Sequence, residues 1–349
     1  MATIRAAVVQ PALELAQVDR NLVRIEDLIR DAYRSHAPDL IAVPEAMTSP
    51  NVYGKRLRAA AAPIDGRPMA LLRDLARELD VIIAGGFLAR RGTHARGTYV
   101  LAEPDGSLRL HDKDIPTAWE HNYYTGGTDD GVVHSDRLGI DVGLMSGWEW
   151  ARGRTSRRVR DAGVRLVVGG MCWPSFPSNW AAIPPLAAMV RRENHLWLDQ
   201  ARELPGQVAR RVGVPTIHAS HVGPVSGETP LVPGLRWPTH LVGESQICAA
   251  DGSILARLTL ADGEGHVAAD VEIGEPEPLD PIADRYWIPG FSVMTHIAWH
   301  ALNAHGRVWY RRLHARGEFP WQASAGTDLP GTVTAAEAAD RFDSDRQTA

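Results

Sequence analysis

Three ionisable residues stand where an apolar run gives way to a loop. Glu45 closes DLIAVPE (39–45). A carboxylate set directly after a buried strand loses hydration, so its pKa rises and it suits general-base work. Lys113 lies in LRLHDKDIPTAWEHNYYTGG. An ammonium near a reacting carbonyl stabilises a developing oxyanion. Glu120 follows in the same loop, where a second carboxylate can position the lysine or Glu45. Singly, each would equally serve as a solvated surface charge. As an ordered set they are more specific: PE at 44–45, K-x-x-P-T-x-x-E at 113–120 and V-G-x-x-x-x-W-E at 142–149. The chain has only two lysines, Lys55 and Lys113, so a lysine inside a motif carries more weight than usual.

The elements that must position these residues alternate short apolar runs with amphipathic stretches. IRAAVVQ (4–10), residues 39–45, 81–89 and 98–106 read as strands, the last ending in a Pro-Asp-Gly turn. Between them, 20–33 places Leu22, Ile25, Leu28 and Ile29 on one helical face, and 71–80 does the same with Leu72, Leu75 and Leu79. The second half repeats the theme with a strand at 140–145, a helix at 155–163 and a strand at 164–170. Residues 183–194 and 200–213 read as helical, with Pro205 a point of kinking or restart. Closing strands follow at 214–220, 242–252 and 265–273, and a helix at 299–317. This alternation predicts an α/β or α+β layered fold. The expected organisation is one domain over 1–285, a helical extension over 286–322 and a polar, acidic, mobile tail over 323–349.

With those motifs in order, the chain resembles the nitrilase superfamily, the carbon–nitrogen hydrolases. The K-x-x-P-T-x-x-E loop with Gly126-Gly127 after it looks most like the nitrilase and aliphatic amidase-like branches. VGESQICAADGSILAR (242–257) resembles the family's late strand and D-G turn, and the likeness runs over roughly residues 4–273. It implies a four-layer α-β-β-α sandwich, a homodimer or larger assembly with the C-terminal extension at the interface, and no metal or organic cofactor. It further implies hydrolysis of a small nitrile, amide or N-carbamoyl amine by a cysteine thiolate. Carried over by position, Glu45 is the base, Lys113 stabilises the tetrahedral intermediate and Glu120 supports it.

One position departs from that pattern. Counting from Val142-Gly143 with Trp148-Glu149 fixed, the family cysteine falls on Gly147, which cannot form a thioester. Four readings follow. The site has lost its nucleophile and its activity, leaving a non-catalytic pseudoenzyme that binds a small ligand or a partner protein; Glu45 activates a water directly; Ser146 attacks after a one-residue shift; or Cys172, in GGMCWP, supplies the thiol. Strand alternation argues against Ser146, by turning its side chain from the side position 147 would use. A buried packing role is the plainer reading of Cys172.

Aromatic residues cluster in the same loops: Tyr53 after Glu45, Trp119, Tyr123 and Tyr124 around Glu120, then Trp148 and Trp173. With Ser146, Glu149 and Cys172 they are the expected substrate-binding residues, and eleven tryptophans in all suggest an apolar or aromatic pocket. A net charge of −5 gives no electrostatic case for nucleic acid or an anionic membrane. No apolar run approaches the ~18 residues that span a bilayer. MATIRAAVVQ has no basic n-region and long apolar h-region, and two cysteines make no disulfide framework, so a cytoplasmic location is expected. His218 and His221 lack a suitably spaced third ligand for zinc.

Overall fold

The computed structural model describes residues 2–229 and 232–324. Its strands in chain order are β1 (Ala2–Gln10), β2 (Leu40–Ala42), β3 (Ala62–Pro63), β4 (Ile82–Arg91), β5 (His94–Ala102) and β6 (Leu108–Asp112). There follow β7 (Val132–Ser135), β8 (Ile140–Ser146), β9 (Leu166–Met171), β10 (Thr216–Ser220) and the hairpin β11 (Val222–Thr229)–β12 (Val232–Val242). The last are β13 (Ser245–Cys248), β14 (Ile254–Leu258) and β15 (Gly265–Ile273). One sheet has the order β15-β1-β2-β4-β5-β6 with β3 beside β4, and the second has β14-β13-β10-β9-β8-β7. Parallel pairing joins β1-β2-β4-β3 in one sheet and β8-β9-β10 in the other.

Side-chain alternation explains the layering. In β1, Ile4, Ala6 and Val8 point into the space between the sheets, where they meet Val142, Leu144 and Val168. Ala7 and Val9 point the other way, onto helices α1 (Val18–His36) and α2 (Arg67–Leu79). Helices α3 (Gly153–Asp161) and α4 (Pro184–Val212) cover the outer face of the second sheet. The result is an α-β-β-α sandwich. Parallel strands buried on both faces need nearly continuous apolar sequence, which is why LIA and LVVGGM show no polar phase.

The structure differs from the sequence expectations in places. Residues 183–194 and 200–213 belong to a single helix, α4, which runs through Pro205. Trp197, Ala201, Leu204, Val208 and Val212 keep one face in the core across that point, and this packing holds the helix despite the hydrogen bond proline removes. The hairpin β11–β12 falls in a stretch for which the sequence reading assigns no element. The closing helix α5 (Val293–Ala315) starts earlier than expected, under Ser292, whose Oγ accepts the Thr295 N–H at 3.1 Å. The part of the expected tail from residue 325 on lies outside the described residues. Among the described residues no helix is long and apolar enough to cross a membrane.

Candidate active site

The site forms where the carboxyl ends of β2, β8 and β9 face one another across the sandwich, the usual crevice of parallel sheets. β2 stops at Ala42, and Val43-Pro44 carries the chain to Glu45. Lys113 follows β6, its N–H donating to the Gly97 carbonyl at 2.8 Å. Glu120 sits on a single helical turn, Ala118–Asn122, and accepts the Thr117 N–H at 2.6 Å.

These three side chains converge. The Lys113 ammonium donates to Glu120 Oε2 at 2.7 Å and to Glu45 Oε2 at 3.2 Å. Tyr124 donates its hydroxyl to Glu120 Oε2 at 2.6 Å, and Asn51 Nδ2 donates to Oε1 at 3.1 Å. Glu45 accepts the Ser146 hydroxyl at 3.0 Å and the Cys172 N–H at 3.1 Å, while its own carbonyl accepts from His221 Nε2 at 2.6 Å. Glu45 and Glu120 are each 4% exposed and Lys113 is fully buried. Burial pushes the Glu45 pKa up; Lys113 opposes this and Glu120 adds to it. Burial works against charge on Lys113, but Glu120 and Glu45 outweigh it and hold its pKa above the usual lysine value. The arrangement is a proton-accepting carboxylate beside a fixed cation, which is what addition to a polarised C–N carbon requires.

Gly147 adjoins this cluster at the end of β8. Its φ of +57° is a left-handed backbone that favours glycine. A Cβ built there would stand 2.3 Å from Lys113 Nζ and 2.6 and 2.7 Å from the Glu45 oxygens. The Glu45 carboxylate and the Lys113 ammonium thus occupy the space where a side chain at 147 would begin. The turn itself is fixed from behind by Glu149. Its carboxylate accepts the N–H groups of Ser146 at 2.8 Å and Asp114 at 3.0 Å, and meets His111 Nε2 at 2.7 Å. Burial alone would lower the His111 pKa; Glu149 and Asp129 reverse this and push it up to about 10.

A cavity of about 70 Å³ opens beside the cluster. Its polar wall includes Glu120, Asn51, Thr117 and Cys172; its apolar wall is Trp119, Trp148, Trp173, Phe176, Trp197, Trp237 and Trp299. Helix α5 closes one side with Thr295, Ala298, Trp299 and Leu302. It reaches over the Glu120 turn because Gly306 has no side chain: a Cβ there would lie 2.7 Å from that of His121. A separate void of about 10 Å³, about the room of one water, is lined by Glu45, Asn51, Tyr124 and Ser146 among others.

Of the residues singled out from sequence, Glu45, Lys113, Glu120, Gly147, Ser146 and Tyr124 meet in the polar cluster. Trp119, Trp148, Trp173 and Cys172 line the cavity with Glu120. Three lie apart from it. Tyr53 packs on Tyr123 at 5.8 Å between ring centres, the Tyr123 hydroxyl donates to the Gly54 carbonyl at 3.0 Å, and Glu149 is fully buried behind the turn. The expectation that Ser146 turns away is corrected. Val142, Leu144 and Ser146 share the face between the sheets, and Glu45 lies on that same side. His218 and His221 do not act as a pair: His218 packs edge-on against Trp150 at 4.8 Å, while His221 holds the Glu45 carbonyl. Among the described residues no group of three or more His, Cys, Asp or Glu could hold a metal ion. Sequence reasoning missed Asn51 and Thr117, and weighed His221 only as a zinc ligand, not as the residue that holds the Glu45 carbonyl. It also missed the cavity residues Phe176, Trp197, Trp237 and Trp299, for which the tryptophan count was the only signal.

The model of the carbon–nitrogen hydrolase family matches residues 5–276. A cyanide hydratase from Armillaria gallica is 25% identical over 132 residues, 37% of this chain and 37% of that protein. The match thus spans little more than a third of that relative's length. Among solved structures, a carbon–nitrogen hydrolase from Helicobacter pylori G27 superposes with a TM-score of 0.61 at 18% identity, over 77% of this chain and 89% of its own. An amidase from Nesterenkonia sp. gives 0.58 at 17% identity, over 81% and 93%. A mutant of the amidase from Nesterenkonia sp. AN1, with acrylamide added at its active-site cysteine, gives 0.59 at 16%, over 81% and 96%. At these identities the superpositions show a shared fold.

Proposed function

The chain belongs to the carbon–nitrogen hydrolase family, and from that premise we propose that it hydrolyses a small amide, nitrile or N-carbamoyl compound with no nucleophile at position 147. Glu45 is the base, Lys113 stabilises the charge that develops on the substrate, and Glu120 positions the lysine. The observation that carries this reading is the fully buried Lys113 ammonium between two carboxylates at the edge of an aromatic cavity. Burying three charges costs several kcal/mol per ion before pairing offsets it. A hydrophobic filling would be as stable, so the cluster is better explained by chemistry than by stability. The tryptophan walls favour an apolar or aromatic, uncharged substrate.

Ammonia release from a panel of aliphatic and aromatic nitriles, amides and N-carbamoyl amines tests the reading. The protein should release ammonia from at least one class, and Glu45→Gln should cut that release by about 10²–10⁴-fold. A second reading, a non-catalytic protein that only binds such molecules, is favoured by Lys113 and Glu45 filling the space at Gly147. It requires ligands that stabilise the fold, by about 2.7 kcal/mol at 100-fold excess over Kd, and persist intact.

The same reading includes a homodimer in the cytoplasm. Helix α5 presents Val293 (74% exposed), Ile297 (64%) and Val308 (48%) to solvent, an apolar strip that a second copy would cover. Light scattering at micromolar concentration should give at least a dimer; a monomer would remove this part.

A further inference from the structure

We propose that Cys172, at the end of β9, supplies the thiol that position 147 lacks and forms the covalent intermediate with the substrate. The inference rests on the hydrolase reading and names the nucleophile for it.

The geometry begins with the strands. β8 and β9 are adjacent and parallel, with Ser146 opposite Gly170. Gly147 follows directly on that pair at the end of β8, and Cys172 follows two residues on at the end of the neighbouring β9. Cys172 lines the aromatic cavity, and so does Glu120. Its backbone N–H donates to Glu45 Oε1 at 3.1 Å, which places the thiol-bearing residue against the base. Its Sγ accepts the Asn51 N–H at 3.2 Å, a bond that favours the thiolate once formed. Asn51 also holds Glu120, so one residue ties the sulfur to the Lys113–Glu120 pair.

A second observation points to a ligand. Trp173 lines the same cavity and is fully buried, yet its indole N–H has no hydrogen-bond partner among the described residues. Buried donors are nearly always paired. A substrate oxygen or nitrogen beside Cys172 would satisfy it. The other cysteine, Cys248, is buried on β13 and is not among the cavity residues.

Burial, reinforced by the Glu45 charge, keeps the Cys172 thiol protonated at rest. Attack must therefore be base-assisted. For an amide, Glu45 takes the thiol proton as sulfur bonds to the carbonyl carbon, and Lys113 stabilises the oxyanion. The C–N bond then breaks, and the nitrogen leaves as ammonia with the proton from Glu45. Water, deprotonated by Glu45, hydrolyses the thioester to the acid and restores the thiol.

The test treats the full-length protein with 2-chloroacetamide, maps the modified peptide by mass spectrometry, and measures ammonia release by Cys172→Ala, Cys172→Ser and Cys248→Ala. The expected result is alkylation at Cys172, slowed in Glu45→Gln. Ammonia release should fall by about 10³-fold or more in both Cys172 variants and stay unchanged in Cys248→Ala. Thermal melting checks that the variants fold, and the Ser variant keeps the volume if Ala does not. A working wild type whose Cys172 variants retain activity would overturn the proposal while leaving the hydrolase reading standing. A wild type that releases no ammonia and is not alkylated at Cys172 would overturn both.

Discussion

Two single-turn helices on this fold share one local design. In T-A-W-E, Glu120 accepts the N–H of Thr117; in S-G-W-E, Glu149 accepts the N–H of Ser146. Each glutamate thereby satisfies a donor that the start of a helical turn leaves free. Their surroundings separate them. Glu120 pairs with Lys113 and lines the cavity. Glu149 pairs with His111, ties down Asp114 and lies behind the turn, away from the cavity. The same four-residue device serves the Lys113 cluster at the cavity in one place and a scaffold in the other. What differs is which strand end, and which cation, faces it.

That contrast can be broken in order of expected effect. Glu45→Gln should cut ammonia release by about 10²–10⁴-fold, the usual worth of a general base, with little change in melting temperature. Glu149→Gln should do the reverse. It removes one of the two carboxylates beside the buried His111 charge, leaving Asp129 as the other, and should cost about 1–3 kcal/mol of stability, read by urea unfolding. A Glu149 variant that melts normally but is inactive would collapse the distinction.

His111 sharpens the scaffold side. Its folded pKa of about 10 lies above the unfolded histidine value, so its stabilisation is full below about pH 6.5 and is lost as pH rises through about 10. Unfolding free energy should therefore fall by a few kcal/mol across that window, and His111→Gln should flatten the slope. An unchanged slope in the variant would remove His111 as the cause. The smallest expected effect is Gly147→Ala. The left-handed backbone costs about 1–2 kcal/mol, and the new Cβ must push aside the flexible ends of Lys113 and Glu45. A variant as stable as the parent would show that the cluster moves freely.

How much of this was legible beforehand follows the same division. The α/β layering was, because the strands are buried runs and the helices have strict apolar faces. The meeting of Glu45, Lys113 and Glu120 was, because each stands where a strand gives way to a loop and the ordered motifs around them resemble those of one family. The separate fates of Glu120 and Glu149 were not, since both are a glutamate after a tryptophan in a capped turn. Ser146 was misplaced because alternation says which residues share a face but not which face Glu45 meets. The tryptophans of the cavity come from separate loops and helices, and only packing brings Trp197, Trp237 and Trp299 together.

The most direct measurement is ammonia release from the nitrile, amide and N-carbamoyl panel by the protein, its Glu45→Gln variant and its Gly147→Cys variant, side by side. The expected result is release by the protein itself and release about 10²–10⁴-fold slower by Glu45→Gln. Release by Gly147→Cys alone would contradict it, and would make GLMSGWEW a disabled active site on a protein that only binds.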